Sequence, residues 1–281
     1  MKVSIIGVGR VGAATAFSLL HSTDIDELFL FDVKKELAQG EALDLQQAGV
    51  GLLTDCIVSS SSDYRNAEGS EVIVLAAGTA RSPGAPRDEL FDENKGIISS
   101  VLGKIDFVGN EKILVLSNPI DKLTLEAFNE TGLPRQQVMG VGCLLDTFRL
   151  RALLGDFESE SFVFGQHGEL ASFALRGTDE VSSNAFFAQG ERVLKLKEYS
   201  SWAPAVATAR TVEAILEDTH EVMPVSCVLD GEFGLRDVAV TVPAAIGSAG
   251  VLSVQTSLLS ESEQERVRFV AETIYGEHPL G

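Results

Sequence analysis

The first twelve residues constrain the fold of this chain more than any other segment. Lys2–Ile6 is a short apolar run, and a glycine-rich loop follows it directly and opens a helical pattern, Arg10–Leu20. Glycines at this spacing permit a tight turn and a close approach of the backbone to a pyrophosphate, which the free N–H groups of the helix would bind. The segment therefore predicts a strand, a dinucleotide-binding turn and a helix. The loop consists of Gly7, Val8, Gly9, Arg10, Val11 and Gly12.

An acidic residue strengthens this interpretation. Asp32 ends the second apolar run, about twenty residues beyond the glycine loop, where a carboxylate accepts hydrogen bonds from the adenosine ribose hydroxyls. The alternative is a structural turn beside a solvated aspartate. An acid at this position disfavours a 2′-phosphate, so we expect NAD rather than NADP, a preference that Lys34 and Lys35 moderate.

The first half of the chain alternates strand and helix patterns. Its apolar runs are too short for helices and lack polar alternation, which is typical of parallel strands covered on both faces. Between them lie helical patterns such as Asp88–Phe107. This alternation predicts a doubly wound parallel sheet, the Rossmann arrangement. The runs are Lys2–Ile6, Leu28–Phe31, Val72–Ala76 and Ile113–Leu116.

The second half has a different pattern. Pro224–Leu229 and Asp237–Val242 flank two glycines and predict an antiparallel strand pair, while Tyr199–Asp218 predicts a long helix. We therefore expect an α/β protein with an N-terminal Rossmann domain, residues 1–140, and a C-terminal α+β substrate domain, residues 141–281.

Charge and cysteine content exclude several classes of function. The 281 residues include 41 acidic and 22 basic side chains, a formal net charge of -19. Nucleic acid and anionic membranes are poor partners for such a surface. No apolar run reaches the roughly 18 residues of a membrane span. Three scattered cysteines match no metal-ligand spacing and indicate a reducing cytoplasm. The acidity is either the mild excess common in cytosolic proteins or an adaptation to high salt; the latter predicts lower stability in dilute salt.

A cluster in the second half carries the chemistry. Asp146 and Arg149 are three residues apart, which puts them on one face of a helix, and His167 follows in Gln-His-Gly. The carboxylate can orient an imidazole, and the guanidinium can bind a substrate carboxylate through two parallel hydrogen bonds. The pattern predicts proton transfer on an acidic substrate.

Two loops at strand ends supply further candidates. Arg81 and Arg87 lie in a loop rich in proline and glycine after the third strand, where ligands of open α/β sheets bind. Asn94, in the following helix, would face the cofactor. Leu116, Ser117 and Asn118 end the fourth strand, and Asn118 could contact both the nicotinamide and the substrate hydroxyl.

These ordered motifs resemble the lactate/malate dehydrogenase family, most closely its lactate-dehydrogenase-like malate dehydrogenases. The resemblance implies that His167 accepts the proton and that Asp146 is its partner. It also implies that Arg149 binds the carboxylate beside the reacting carbon and that Arg87 polarises the carbonyl. The expected protein is a cytoplasmic homo-oligomer, a tetramer or a dimer, that uses NAD and no metal.

Arg81 occupies the position that distinguishes substrates in this family. Lactate-specific members usually have glutamine there, and malate-specific members arginine. Leaving the second carboxylate of oxaloacetate unpaired under a closed loop would cost roughly 3–5 kcal/mol, about 10² to 10³ in specificity. Malate is therefore expected. The alternatives are lactate or another 2-hydroxy acid and, more remotely, a non-catalytic NAD-binding module.

Overall fold

A computed structural model of the protein describes residues 1–22, 25–79, 87–177 and 181–276. Its described strands form one mixed sheet with helices on both sides. The strands are β1 (Lys2–Ile6), β2 (Glu27–Phe31), β3 (Ile57–Ser61), β4 (Val72–Leu75), β5 (Lys112–Val115), β6 (Val138–Gly140), β7 (Phe162–Gly165), β8 (Ala171–Ala174), β9 (Val222–Asp230), β10 (Arg236–Gly247) and β11 (Gly250–Val254).

Eight α-helices occur within the described part of the chain, four in each half of the sequence. They are α1 (Arg10–Ser22), α2 (Lys35–Leu52), α3 (Arg87–Leu102), α4 (Ile120–Thr131), α5 (Leu144–Leu154), α6 (Ser183–Lys197), α7 (Trp202–Leu216) and α8 (Glu261–Tyr275). Across these same residues, no helix combines the length and the apolar character needed to cross a membrane.

The first six strands are parallel and lie in the order β3-β2-β1-β4-β5-β6. The strands at the centre of this order are apolar and buried on both faces; in β4 all four residues are buried. Short, continuous apolar runs are stable only where helices cover both sides of the sheet. The order reverses between β1 and β4, and the carboxyl ends of the strands at such a switch point form a crevice for a ligand.

The sheet continues into the second half of the sequence through antiparallel pairing. Met139 and Gly140 of β6 pair with Cys227 and Ser226 of β9, and β10, β7 and β8 follow. The long strands β9 and β10 are buried over most of their length. The expected fold class is confirmed: a parallel Rossmann sheet with helices, joined to a C-terminal α/β unit with antiparallel strands.

Candidate active site

The glycine loop lies at the carboxyl end of β1. It is tightly packed at Gly7 and Gly12 and open at Gly9. Gly7 has a φ of 96°, and a Cβ there would overlap the backbone of Ala77. A Cβ on Gly12 would overlap the carbonyl oxygen of Gly7, so these two glycines allow the loop to pack against β4 and α1. A Cβ on Gly9 would meet no described heavy atom within 4 Å. The loop is thus an open cradle at the start of α1, which fits a pyrophosphate.

Asp32 ties this loop to the end of β2. Its Oδ2 accepts a hydrogen bond from the backbone N–H of Val8 at 3.1 Å, and its Oδ1 accepts one from the backbone N–H of Lys34 at 2.9 Å. Each carboxylate oxygen can accept a second hydrogen bond. The residues present therefore fit a dinucleotide whose ribose hydroxyls would donate to Asp32.

The segments that follow β4 and β5 are held together by two side chains, Ser117 after β5 and Asn94 of α3. The hydroxyl of Ser117 donates to the carbonyl of Ala77 at 2.6 Å. Asn94 is buried, and its amide donates to the carbonyl of Asn118 at 2.7 Å and accepts from the N–H of Thr79 at 2.8 Å. It also makes longer contacts with the hydroxyl and carbonyl oxygens of Thr79, so its donors and acceptors are all used. Asn94 positions this edge, and its predicted contact with the cofactor stays a prediction.

Asn118 itself is exposed at this edge, after β5 and before a cis peptide bond to Pro119. Leu116 precedes it and is half-buried, with its N–H donating to the carbonyl of Leu75. Asn94 holds the backbone carbonyl of Asn118. The side chain of Asn118 is exposed, so its amide is available to a ligand in the crevice.

The carboxylate of Asp146 joins the other two predicted catalytic residues. Its Oδ2 lies 2.6 Å from Nδ1 of His167, and its Oδ1 accepts a hydrogen bond from Nη1 of Arg149 at 2.9 Å. Asp146 is buried, whereas the side chains of His167 and Arg149 are 26% and 20% exposed. The structure therefore brings these three residues together, with the cation and the imidazole accessible from solvent.

Two local features produce this arrangement. The hydroxyl of Thr147, the residue after Asp146, accepts a hydrogen bond from the N–H of Val163 at 3.0 Å, which ties α5 to β7. His167 lies in the connection between β7 and β8, where Gly168 has a φ of 105° that other residues rarely adopt. The turn directs the imidazole of His167 back toward α5.

The surroundings of His167 determine how readily it holds a proton. Burial lowers the pKa of the imidazole, but the charge of Asp146 and its hydrogen bond outweigh burial, so the pKa is raised above its ordinary value. The neighbouring charge of Arg149 acts in the opposite direction. In the neutral form the Nδ1 proton is donated to Asp146, which leaves Nε2 as the acceptor.

The two loop arginines lie at the edge of the described residues or outside them. Arg81 lies outside the described residues, and Arg87 is described only as the first residue of α3. Their predicted contacts with the substrate therefore stay predictions.

Sequence reasoning missed a second buried carboxylate near His167. Asp121, in the first turn of α4, accepts hydrogen bonds from Ser226 at 2.7 Å and Thr241 at 3.3 Å. Burial raises the pKa of Asp121 to about 6, although these hydroxyls and the charge of His167 act against the rise. An acid three residues after Asn118, at the carboxyl end of a parallel strand, was the available signal.

Comparison with known proteins places this geometry in a family. Residues 1–140 match the NAD binding domain of lactate/malate dehydrogenase, and residues 185–277 match its alpha/beta C-terminal domain. The chain belongs to the lactate/malate dehydrogenase family. The expected family, the NAD cofactor and the enzyme class, an oxidoreductase of 2-hydroxy acids, are thereby confirmed.

Relatives in this family include both malate dehydrogenases and lactate dehydrogenases. The chain is 38% identical over 280 residues to a malate dehydrogenase of Archaeoglobus fulgidus, covering 95% of each chain. It is 32% identical over 302 residues to L-lactate dehydrogenase 1 of Clostridium acetobutylicum, covering 97% of this chain and 96% of that protein.

Solved structures of this dehydrogenase family share the fold. The malate dehydrogenase of A. fulgidus in complex with NADH superposes with a TM-score of 0.89 at 36% identity, covering 97% of each chain. The malate dehydrogenase of Salinibacter ruber superposes with a TM-score of 0.87 at 28% identity, covering 98% of this chain and 95% of that one.

Proposed function

We propose that this protein is an NAD-dependent malate dehydrogenase that interconverts malate and oxaloacetate. The observation that carries the proposal is the placement of one buried carboxylate, Asp146, between an imidazole and a guanidinium, at 2.6 Å and 2.9 Å. Such a group can move a proton at the hydroxyl-bearing carbon while a cation binds the adjacent carboxylate.

His167 would exchange the proton through Nε2, because Asp146 holds the Nδ1 proton. In oxidation Nε2 accepts the proton of the substrate hydroxyl, and Asp146 stabilises the imidazolium that forms. In reduction the protonated ring returns the proton to the carbonyl oxygen. NAD, when bound, supplies the hydride chemistry; the protein supplies alignment and electrostatics.

Arg149 would bind the carboxylate next to the reacting carbon. One of its nitrogens donates to Asp146, which fixes the guanidinium plane, and the remaining N–H groups are left for a substrate. Gly190 of α6 lies beside this guanidinium, where a Cβ would make an ordinary van der Waals contact with the guanidinium carbon at 3.5 Å. Arg87 would polarise the reacting carbonyl and Asn118 would contact the substrate hydroxyl.

Substrate choice within the family rests on Arg81. An arginine there would pair with the second carboxylate of oxaloacetate, and it would be left unpaired beside the methyl group of pyruvate. Similarity to the A. fulgidus malate dehydrogenase supports the same choice. A second candidate, a lactate dehydrogenase, is favoured by the similarity to the C. acetobutylicum enzyme over nearly the same length.

A steady-state assay with two substrates and two cofactors separates these functions. We expect kcat/KM for oxaloacetate to exceed that for pyruvate by about 10² to 10³. NADH should be preferred to NADPH because Asp32 disfavours a 2′-phosphate. A preference for pyruvate would instead assign the lactate reaction, and an absence of turnover with either substrate would favour a non-catalytic NAD-binding module.

The proposal extends to the organisation of the protein. We place the boundary between a cofactor domain, residues 1–140, and a substrate domain, residues 141–281, after β6, where parallel pairing gives way to antiparallel pairing. We also propose a cytoplasmic homo-oligomer, a tetramer or a dimer. Sedimentation of the purified protein tests the oligomeric state.

A further inference from the structure

An aromatic ring from the second half of the sequence lies against the cofactor loop. Tyr199 precedes α7, and α7 packs against α1, which begins inside the loop. The guanidinium of Arg10 lies over the ring of Tyr199, 3.9 Å from its centroid. Arg10 directly follows Gly9, the glycine that faces open space. The ring thus holds a cation at the mouth of the pyrophosphate cradle.

A second cation contacts the same ring. The ammonium of Lys197, at the end of α6, lies 4.5 Å from the centroid of Tyr199 and 5.0 Å from that of Trp202. It also donates to the hydroxyl of Ser201 at 3.1 Å. We call Arg10, Tyr199 and Lys197 the cation–ring cluster.

The cluster retains its positive charge. Within the described ranges, neither Arg10 nor Lys197 forms an ion pair with a carboxylate, although acidic residues outnumber basic ones by 41 to 22. An aromatic face attracts a cation through its quadrupole and does not neutralise it, whereas a carboxylate would. Two like charges beside one ring also repel each other, and an anion bound near both of them relieves that repulsion.

We propose that Tyr199 is a positioning residue for cofactor binding, which holds Arg10 and Lys197 so that both cations face the pyrophosphate of NAD. The second half of the chain would thereby contribute positive charge to a pyrophosphate site that is built on the glycine loop and α1 of the first half. The proposal depends on the NAD cofactor and not on the identity of the hydroxy acid.

Cofactor affinity measured with three ligands tests this role. NADH and ADP carry the pyrophosphate, whereas adenosine carries no phosphate. The dissociation constant of each ligand is measured by fluorescence titration or by competition. Tyr199→Leu should weaken the binding of NADH and ADP by about threefold to tenfold and leave the binding of adenosine unchanged. Tyr199→Phe keeps the aromatic face and should restore affinity to within about twofold. A loss that is equal for all three ligands would show a structural role and overturn the proposal.

Charge variants provide matched controls. Lys197→Met should weaken NADH binding, whereas Lys195→Met, which removes an exposed lysine from the same helix, should leave NADH binding unchanged. Arg10→Met should weaken NADH binding to a similar extent, and adding Tyr199→Leu to it should cause a smaller loss than Tyr199→Leu causes in the native protein, because the ring then acts through Lys197 alone. Arg10 is exposed, so its variant remains informative if Tyr199→Leu fails to fold. Additive losses in the double variant, or equal effects of the two lysine variants, would contradict the cluster.

Discussion

The carboxylate of Asp146 faces the imidazole of His167 across 2.6 Å, although the two residues are 21 positions apart in the chain. The contact depends on α5 and on the connection that follows β7, and the hydrogen bond from the N–H of Val163 to the hydroxyl of Thr147 ties α5 to β7. Because Asp146 is buried, its charge acts on the imidazole with little screening by water. The pair therefore sets the protonation state of the group that we propose as the base.

Asp146→Asn tests this electrostatic role. The pKa of His167 is raised in the folded protein, so the pair stabilises the fold below the ordinary histidine pKa, and that stabilisation is lost as pH rises through the folded value. Removing the charge should shift the pH–rate midpoint for oxaloacetate reduction to lower pH and lower kcat about 10²- to 10⁴-fold. NADH affinity should be retained. An unchanged midpoint would show that Asp146 does not determine the pKa of His167.

Gly9→Ala separates cofactor binding from folding. An added Cβ would meet no described heavy atom in the free protein, but it would enter the cradle that we assign to the pyrophosphate. We expect an unchanged melting temperature and NADH binding weakened by at least about tenfold, because displacement of the phosphates weakens their hydrogen bonds. Gly12→Ala is the contrasting variant: its Cβ would overlap the Gly7 carbonyl, so the melting temperature should fall. Full NADH affinity in Gly9→Ala would place the cofactor elsewhere.

Asp121 gives a prediction about stability and pH. Its pKa is raised from 3.8 to about 6 by burial, so the folded protein holds the proton more tightly than the unfolded chain does. Stability from this group is therefore present below pH 4 and is lost as pH rises to about 6, in total on the order of 3 kcal/mol. Asp121→Asn removes this dependence.

Chemical denaturation between pH 4 and pH 8 measures the effect. The free energy of unfolding of the Asn variant, minus that of the native protein, should increase by about that amount as pH rises through this window, because only the native protein loses stability. Ser226→Ala is a suitable control, because it removes a hydroxyl donor to Asp121 but leaves the carboxyl group able to titrate. If the difference in the free energy of unfolding between Asp121→Asn and the native protein stays constant over this pH range, the raised pKa of Asp121 is contradicted.

Arg81→Gln tests substrate choice. If Arg81 pairs with the distal carboxylate, its loss should lower kcat/KM for oxaloacetate by about 10² and shift the preference toward pyruvate. Arg65→Gln, which alters an exposed arginine paired with Asp63, is a control that should leave the ratio unchanged. An unaltered ratio in Arg81→Gln would remove the role given to this residue.

Much of the parallel sheet could be predicted from local sequence. The run Lys2–Ile6 is β1 at both ends, and the predicted Val72–Ala76 extends one residue beyond β4. Buried parallel strands are continuous apolar runs, so they are visible without tertiary information. β3 was missed because Ile57–Ser61 ends in three serines at the sheet edge, and β6 because it has three residues.

The helices and the site were less completely predicted. The helix predicted over Asp88–Phe107 ends at Leu102, just before Gly103, and the long helix predicted from Tyr199 begins at Trp202. Asp146 and Arg149 could be paired from their spacing, because an i, i+3 pair shares a helix face. The contacts of Tyr199 with Arg10 and of Asp121 with Thr241 join residues far apart in sequence. No local pattern encodes such contacts.

Proton transfer by His167 is tested most directly by malate oxidation in His167→Asn. Its kcat should fall at least about 10²- to 10⁴-fold, while the NADH dissociation constant measured on the same samples stays within about twofold of the native value. Native-like turnover by His167→Asn, with intact NADH binding, would contradict the assignment of His167 as the proton acceptor.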